Sequence, residues 1–208
     1  MRWNNWVLKW ALAALAATGQ WAAAQQAPPA PAPPAARFVV VLDAAHGGDD
    51  PGGRLSNGQL EKTFTLTLSV RLRSLLAARG IQTAQACLSL HASGSGSGVH
   101  LFISSLAPAE PARMAAWKTA QSAWVTRSLA LAGTLNSALL HAGMNVTLGR
   151  AALPAIDSMT CPAVAVEIAP ERDSGHQIIA ALDDPGYQAR VAEALAAALL
   201  EWRTEAHP

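Results

Sequence analysis

The 208-residue sequence lacks a strong excess of either charge, since 15 lysines and arginines face 14 aspartates and glutamates. A net charge of +1 gives no reason to expect a nucleic-acid partner. Long hydrophobic runs are missing beyond the N-terminal region, so we expect no membrane-spanning segment in the rest of the chain. An HExxH motif, which places two zinc ligands on one helix face, is also missing. The sequence therefore offers no local motif of this kind for a zinc site.

The first 24 residues have the form of a secretory signal peptide. Arg2 and Lys9 accompany an apolar stretch, and the small residues Ala22–Ala24 follow it as a cleavage site. The apolar stretch is short and interrupted for a membrane span, although an uncleaved N-terminal anchor is the alternative. Residues 25–37 are rich in proline and alanine and are predicted to form an extended linker. We therefore predict a folded domain at residues 38–203, exported to the periplasm or cell envelope.

Cysteine is scarce, with only Cys87 and Cys161 in the chain. No cysteine closely follows the apolar N-terminal stretch, which argues against a lipoprotein anchor. In an exported protein the two cysteines could form a disulfide. Two buried free thiols are an equal alternative, because the sequence does not show whether the two sulfurs meet.

Alternating strand and helix patterns predict an α/β fold with a mostly parallel or mixed sheet flanked by helices. The run Phe38–Leu42 predicts a buried strand, and apolar residues at helical spacing predict a helix at 60–78. AVAVEI at 163–168 predicts another buried strand. Asp184-Pro185 predicts the start of a last helix, with Tyr187, Val191, Leu195 and Leu199 on its apolar side.

The middle of the chain is predicted to contain a β-hairpin and helices. Residues 81–91 and 99–105 have strand patterns and are joined by a glycine-serine loop, which favours pairing between them. Residues 115–142 predict one long or two short helices, with Trp117 and Trp124 among the core positions.

Four side chains suited to metal chemistry lie at the ends of these predicted elements. His46 follows the first strand, His91 ends the second, Glu167 ends AVAVEI, and Glu61 opens the first helix. Strand ends and following helix starts share one edge of a parallel sheet, so the four can meet. Two imidazoles and a carboxylate are a common ligand set for catalytic zinc, and another carboxylate can take a proton from water. Each residue taken singly has an alternative to metal binding: His46 would be a histidine in a surface loop, and Glu61 would be an acid that is favourable at a helix N-terminus.

The remaining histidines are not expected to bind metal, because no partner is predicted for them. They are His100, His141, His176 and His207.

At the four positions the sequence resembles the bacterial zinc-dependent N-acetylmuramoyl-L-alanine amidases. LDAAHGGDDPGG at 42–53 is similar to their LDxGHGGxDPGA, and LEK at 60–62 to their EK motif. SLHAS at 89–93 is similar to their SIHAN, and PAVAVEIA at 162–169 to their PAVLVEIGF.

This resemblance implies that His46, Glu61 and His91 are zinc ligands and that Glu167 is the catalytic acid/base. The implied reaction is hydrolysis of the amide between N-acetylmuramic acid and L-alanine in peptidoglycan. The signal peptide and linker would bring the enzyme to that substrate.

The sequence also departs from the family pattern. Before SIHAN the family has a strand and a helix for which residues 81–86 leave no room, since a parallel crossover needs about a dozen residues. We therefore predict a domain one strand and one helix shorter than usual. Ala45 replaces a glycine and should disfavour a positive φ at that position. No inserted helix that would plug the site is evident, so constitutive activity is expected.

The shortened domain leaves a second function open: a degenerate, non-catalytic relative that binds peptidoglycan or regulates another cell-wall hydrolase. A zinc peptidase acting on free peptides would share the chemistry but has no support from the motifs. The sequence does not specify the stem-peptide preference, the regulation or cleavage of the signal. For the oligomeric state, a monomer is the expectation.

Overall fold

The computed structural model describes residues 39–79, 85–110 and 116–205. The predicted signal peptide, the linker and His207 lie outside these residues. In chain order the elements are β1 (Val40–Ala44), α1 (Glu61–Ala78), β2 (Ala86–Ala92), β3 (Val99–Ser104), a 3₁₀ helix (Trp117–Ala123), α2 (Val125–His141), β4 (Val146–Ala151), α3 (Pro154–Asp157), β5 (Ala163–Ile168), β6 (Glu171–Arg172), β7 (Ile178–Ala180) and α4 (Pro185–Glu205). None of the helices in the described ranges is long and apolar enough to cross a membrane.

Five strands form one mixed sheet in the order β1-β2-β5-β3-β4. β1, β2 and β5 run parallel, whereas β3 is antiparallel to β5 and parallel to β4. The sheet with its surrounding helices confirms the predicted α/β class. The smaller size relative to the usual amidase domain stays a prediction.

The predicted hairpin between β2 and β3 is wrong, because β5 lies between them. Two strands that flank a third are roughly 10 Å apart, a distance that the six-residue segment 93–98 spans easily. β5 is almost entirely buried, so its place at the centre of the sheet removes apolar side chains on both faces from water. Closeness in sequence therefore does not decide which strands pair here.

One face of the sheet packs against the three long helices α1, α2 and α4. Leu88 and Leu90 of β2 and Val164 and Val166 of β5 belong to this core together with helix side chains. The predicted positions on α4, which are Tyr187, Val191, Leu195 and Leu199, are all buried. Asp184 caps α4 by accepting hydrogen bonds from the backbone N–H groups of Gly186 and Tyr187.

The expectation for Trp117 is wrong, since 69% of this residue is exposed. Trp117 begins the 3₁₀ helix, which has about three residues per turn and so turns its side chains differently from an α-helix. The α-helix starts only at Val125, and from there the predicted spacing places Leu131, Leu135 and Leu139 in the core.

The opposite face of the sheet has a thinner cover. Side chains alternate along β2, so Cys87, Ser89 and His91 point away from the three long helices. Ile156 of α3 packs there against Cys87, Ala163 and Ala165. Cys87 forms a disulfide with Cys161, which decides between the two cysteine alternatives.

Candidate active site

Three of the predicted site residues converge at one edge of the sheet. His46, Glu61 and His91 each present a ligand atom, and these atoms lie within 4.8 Å of one another. The strands β1 and β2 are parallel neighbours, so the residue after β1 and the end of β2 share an edge. α1 begins at the same edge with Glu61. The structure thus brings together residues that are distant in the chain: His46 and Glu61 are 15 positions apart, and Glu61 and His91 are 30 positions apart.

The turn that carries His46 requires a left-handed backbone at the histidine itself. His46 has φ 66°, a conformation that histidine tolerates better than branched residues. Gly47 and Asp50 exchange two backbone hydrogen bonds and close the turn. A Cβ on Gly52 would lie 2.5 Å from Cδ2 of His46, so only glycine fits against the ring. The positive φ falls on His46 and not on Ala45, and the substitution of alanine for glycine is therefore tolerated.

Asp50 orients the His46 ring. Its Oδ2 lies 2.8 Å from Nδ1 of His46, while its Oδ1 accepts a hydrogen bond from the backbone N–H of Gly52. The hydrogen bond to His46 lowers the pKa of Asp50, and the same bond raises the pKa of His46. Nε2 of His46 is left facing Glu61, 3.1 Å from Oε2. Asp50 was not among the residues predicted for the site, although an acid four residues after a turn histidine is a signal for such a pair.

Glu61 lies between the two histidines and is 6% exposed. Its carboxylate accepts hydrogen bonds from the backbone N–H groups of Gly53 (2.9 Å) and Ala92 (3.1 Å). Oε1 of Glu61 is also 3.1 Å from Nδ1 of His91. Burial by itself raises the pKa of Glu61, but the two backbone donors and the nearby His46 outweigh it and lower the pKa. The buried carboxylate is therefore held in its ionised form.

This donor set fits a zinc ion. Two imidazoles and one ionised carboxylate converge, and hydrogen bonds from outside the cluster hold the side chains of His46 and Glu61. Structural zinc sites use four protein ligands, whereas catalytic sites use three and keep a position open. The composition of the cluster corresponds to the catalytic type.

Glu167 lies one strand away from the cluster. It is in register with His91 on β2 and with His100 on β3, and residues opposite one another on neighbouring strands point to the same face. Glu167 is half-buried and is not one of the three clustered ligands. Its position is that of a carboxylate beside a metal site and not within it.

The other described histidines lie outside the cluster. Nδ1 of His100 pairs with Oγ1 of Thr147 at 2.7 Å, and Nδ1 of His141 pairs with the carbonyl oxygen of Ser137. His176 lies in a turn with φ 63°.

Comparisons with known proteins agree with the motifs. Residues 40–86 match the sequence model of the N-acetylmuramoyl-L-alanine amidase family. No curated protein shows a significant sequence match to the chain.

Several solved structures with a similar fold are N-acetylmuramoyl-L-alanine amidases. The N-acetylmuramoyl-L-alanine amidase Ami1 from Mycobacterium smegmatis is similar with a TM-score of 0.62 and 20% identity, over 81% of this chain and 97% of that chain. The catalytic domain of the amidase CwlV from Bacillus (Paenibacillus) polymyxa var. colistinus has a TM-score of 0.58 and 23% identity, over 80% and 98%. The amidase AmiC2 of Nostoc punctiforme has a TM-score of 0.58 and 19% identity, over 81% and 98%. Together with the sequence match, this fold confirms the resemblance to the bacterial cell-wall amidase family.

Proposed function

We propose that the chain is an exported, zinc-dependent N-acetylmuramoyl-L-alanine amidase. Its reaction would be hydrolysis of the amide that joins the lactyl group of N-acetylmuramic acid to L-alanine in peptidoglycan. The observation that carries the proposal is the convergence of His46, Glu61 and His91 within 4.8 Å, with Glu167 in register beside His91. The family match over residues 40–86 supports the same conclusion.

His46, Glu61 and His91 would hold the metal. A zinc ion held there would supply Lewis-acid chemistry, which polarises a carbonyl and lowers the pKa of water to about 7. The protein prepares the ligands in advance, since Asp50 fixes the orientation of His46 and two backbone N–H groups keep Glu61 ionised. Such outer contacts orient metal ligands and increase their affinity for the metal.

Glu167 is the proposed acid/base. A carboxylate oxygen of Glu167 takes a proton from the attacking water and returns it to the amine nitrogen that leaves. Proton transfer by a positioned side chain contributes about 10²- to 10⁴-fold to a rate. The place of Glu167 on β5, a buried strand at the centre of the sheet, gives this carboxylate a rigid support.

The predicted signal peptide at 1–24 and linker at 25–37 complete the proposal. They would export the domain to the periplasm or cell envelope and give it reach towards the peptidoglycan.

Digestion of purified cell-wall sacculi tests this function. The full chain should release muramic lactyl carboxyl groups and alanine amino termini in equal amounts. A chelator should stop the release, and added Zn²⁺ should restore it. Glu167→Gln should strongly reduce the release. Glu201→Gln, which changes an exposed carboxylate on α4, is the matched control for the loss of an acidic side chain.

Two other outcomes would replace the proposal. Tight binding to sacculi without release of either group would support the non-catalytic relative. Cleavage of free peptides without release from sacculi would support a zinc peptidase.

A further inference from the structure

A cavity of about 350 Å³ opens beside the candidate active site. Its mouth is lined by His91 and Glu167, and its floor by Ser89, Ala165 and Phe102. The three floor residues lie opposite one another on β2, β5 and β3. Ser89 and Ala165 precede His91 and Glu167 by two positions on their strands, so they lie on the same face of the sheet. The wall is formed by Ala151 and the segment 153–156. The cavity is therefore continuous with the site and extends from it over the thinly covered face of the sheet.

The interior of this cavity is suited to an apolar group. Apart from His91 and Glu167 at the mouth, Ser89 supplies the only polar side chain among the lining residues. The Ser89 hydroxyl already donates to Oδ2 of Asp43 at 2.8 Å, and Ser89 is 1% exposed. A polar ligand group in the cavity would lose its hydrogen bonds to water, which costs free energy when no partner replaces them.

The chain that directly follows the wall segment 153–156 is fastened to the rest of the protein at three points. The Cys87–Cys161 disulfide ties Cys161, five residues after the wall segment, to β2. Nε2 of Gln121 donates to the carbonyl oxygens of Met159 and Cys161. The Ser104 hydroxyl donates to Oδ1 of Asp157 at 2.6 Å. A cavity held in this way needs little ordering when a ligand enters, and pre-organisation of this kind favours binding.

The proposed role of Glu167 orients the substrate over the cavity. Glu167 returns a proton to the leaving amine nitrogen, so the amine side of the scissile amide must lie against Glu167. Glu167 is one of the residues that line the cavity. The side chain of the amino acid on the amine side is then the substrate group closest to the cavity mouth.

We propose that this cavity binds the side chain of the amino acid on the amine side of the scissile amide and accepts apolar side chains larger than that of alanine. The inference rests on the proposed function and concerns the specificity of the same site. The volume of about 350 Å³ is roughly ten times the ~30 Å³ that a water molecule, similar in size to a methyl group, occupies in the liquid. The alanine methyl group alone would leave most of the cavity unfilled.

Hydrolysis of two small compounds by the full chain tests the preference. N-acetylmuramoyl-L-leucine amide should be cleaved with a kcat/KM about tenfold higher than N-acetylmuramoyl-L-alanine amide, because each additional apolar carbon fills the cavity. An equal or lower value for the leucine compound would overturn the inference. It would leave the proposed function intact as long as the alanine compound is cleaved.

Two substitutions reduce the cavity from different sides. Ala165→Leu fills the floor, and Ala155→Phe narrows the wall from an exposed position, where a larger side chain does not strain the core. Each should reduce kcat/KM for the leucine compound by at least about tenfold and reduce it less for the alanine compound. Ala130→Leu, at an exposed position on α2, is the matched control and should change neither value. An unchanged leucine preference in both cavity variants would contradict the inference.

Calorimetry separates this inference from the proposed function. Glu167→Gln should bind the leucine compound about tenfold more tightly than the alanine compound, without turnover. If the unmodified chain cleaves neither compound and releases nothing from sacculi, the proposed function fails. The ratio of the two dissociation constants then still decides whether the cavity selects larger apolar groups.

Discussion

The two faces of the central sheet differ in what covers them. The face towards α1, α2 and α4 is closed by long helices and carries the larger apolar core. The other face carries a smaller cluster around Ile156 and Ala165, a disulfide and an open cavity. Alternate residues of the same strands serve the two faces, since Leu88 and Leu90 point to the core while Ser89 and His91 point to the cavity. In this protein, the position of a residue along its strand thus decides whether its side chain faces the larger core or the candidate site.

This separation explains why the site can hold polar groups without a large cost to the fold. The carboxylate of Glu61 is buried, but backbone N–H groups and two imidazoles surround it. Glu167 stands at the cavity mouth and is half-buried. The apolar core on the helix-covered face does not include either residue. A substitution at the candidate site should therefore reduce mainly the rate of hydrolysis, and one in the helix-covered core should reduce mainly the free energy of unfolding.

The largest effect is expected on the cavity face, at Glu167. Glu167→Gln should reduce the rate of sacculus hydrolysis about 1,000-fold, because the amide cannot accept the proton from water. The melting temperature and the bound zinc per chain should remain those of the unmodified protein. A variant that loses its metal along with its activity would show that Glu167 belongs to the ligand set.

The next effect concerns the disulfide, which attaches the cover of the cavity face. Replacement of both Cys87 and Cys161 by alanine should reduce the free energy of unfolding by about 4 kcal/mol, since the bond closes a loop over a sequence separation of 74. Denaturant unfolding of the variant and of the unmodified protein, the latter with and without a reductant, measures this difference. Equal midpoints for all three samples would exclude a stabilising role for the bond.

A somewhat smaller effect is expected in the core of the helix-covered face. Leu135 on α2 is fully buried, and Leu135→Ala should reduce the free energy of unfolding by about 3 kcal/mol through lost burial and a cavity. Below the unfolding transition, kcat/KM should change little, because the site lies on the other face. Leu129→Ala on the exposed side of the same helix is the matched control, with an expected change of less than about 0.5 kcal/mol.

The smallest effect is expected at Asp50, which contacts the three candidate metal ligands only through His46. Asp50→Asn should weaken zinc binding about 10- to 100-fold, because the amide holds the imidazole less firmly and removes a charge. Competition with a chelator of known affinity measures the change. The neighbouring exposed Asp49→Asn is the control, and equal zinc affinities in the two variants would contradict an orienting role for Asp50.

Much of the site could be predicted because its residues lie where strands end and a helix begins. The apolar runs before His46, His91 and Glu167 marked buried strands, and strands that run parallel bring their ends to one edge. The disulfide could be named only as one of two alternatives. Cys87 and Cys161 are 74 positions apart, and their meeting depends on β2 and β5 being neighbours.

The failures have a common physical cause. The hairpin prediction relied on a short loop, but burial of β5 on both faces makes it the central neighbour of both β2 and β3. The position of Trp117 was inferred from α-helical spacing, whereas the chain forms a 3₁₀ helix there. In both cases a rule based on local spacing did not hold: the burial of β5 decided the strand neighbours, and the type of helix decided how the side chains around Trp117 are turned.

The order of residues along the chain was sufficient to indicate the class of fold, the apolar side of α4 and the four side chains of the candidate site, because periodicity and strand ends are local properties. Only the folded arrangement decided the order of the strands, the partner that holds His46 in place, the bond between the two cysteines and the cavity beside Glu167. These features depend on contacts between segments that are far apart in the chain, and the energies of such contacts are not encoded in any single stretch of sequence.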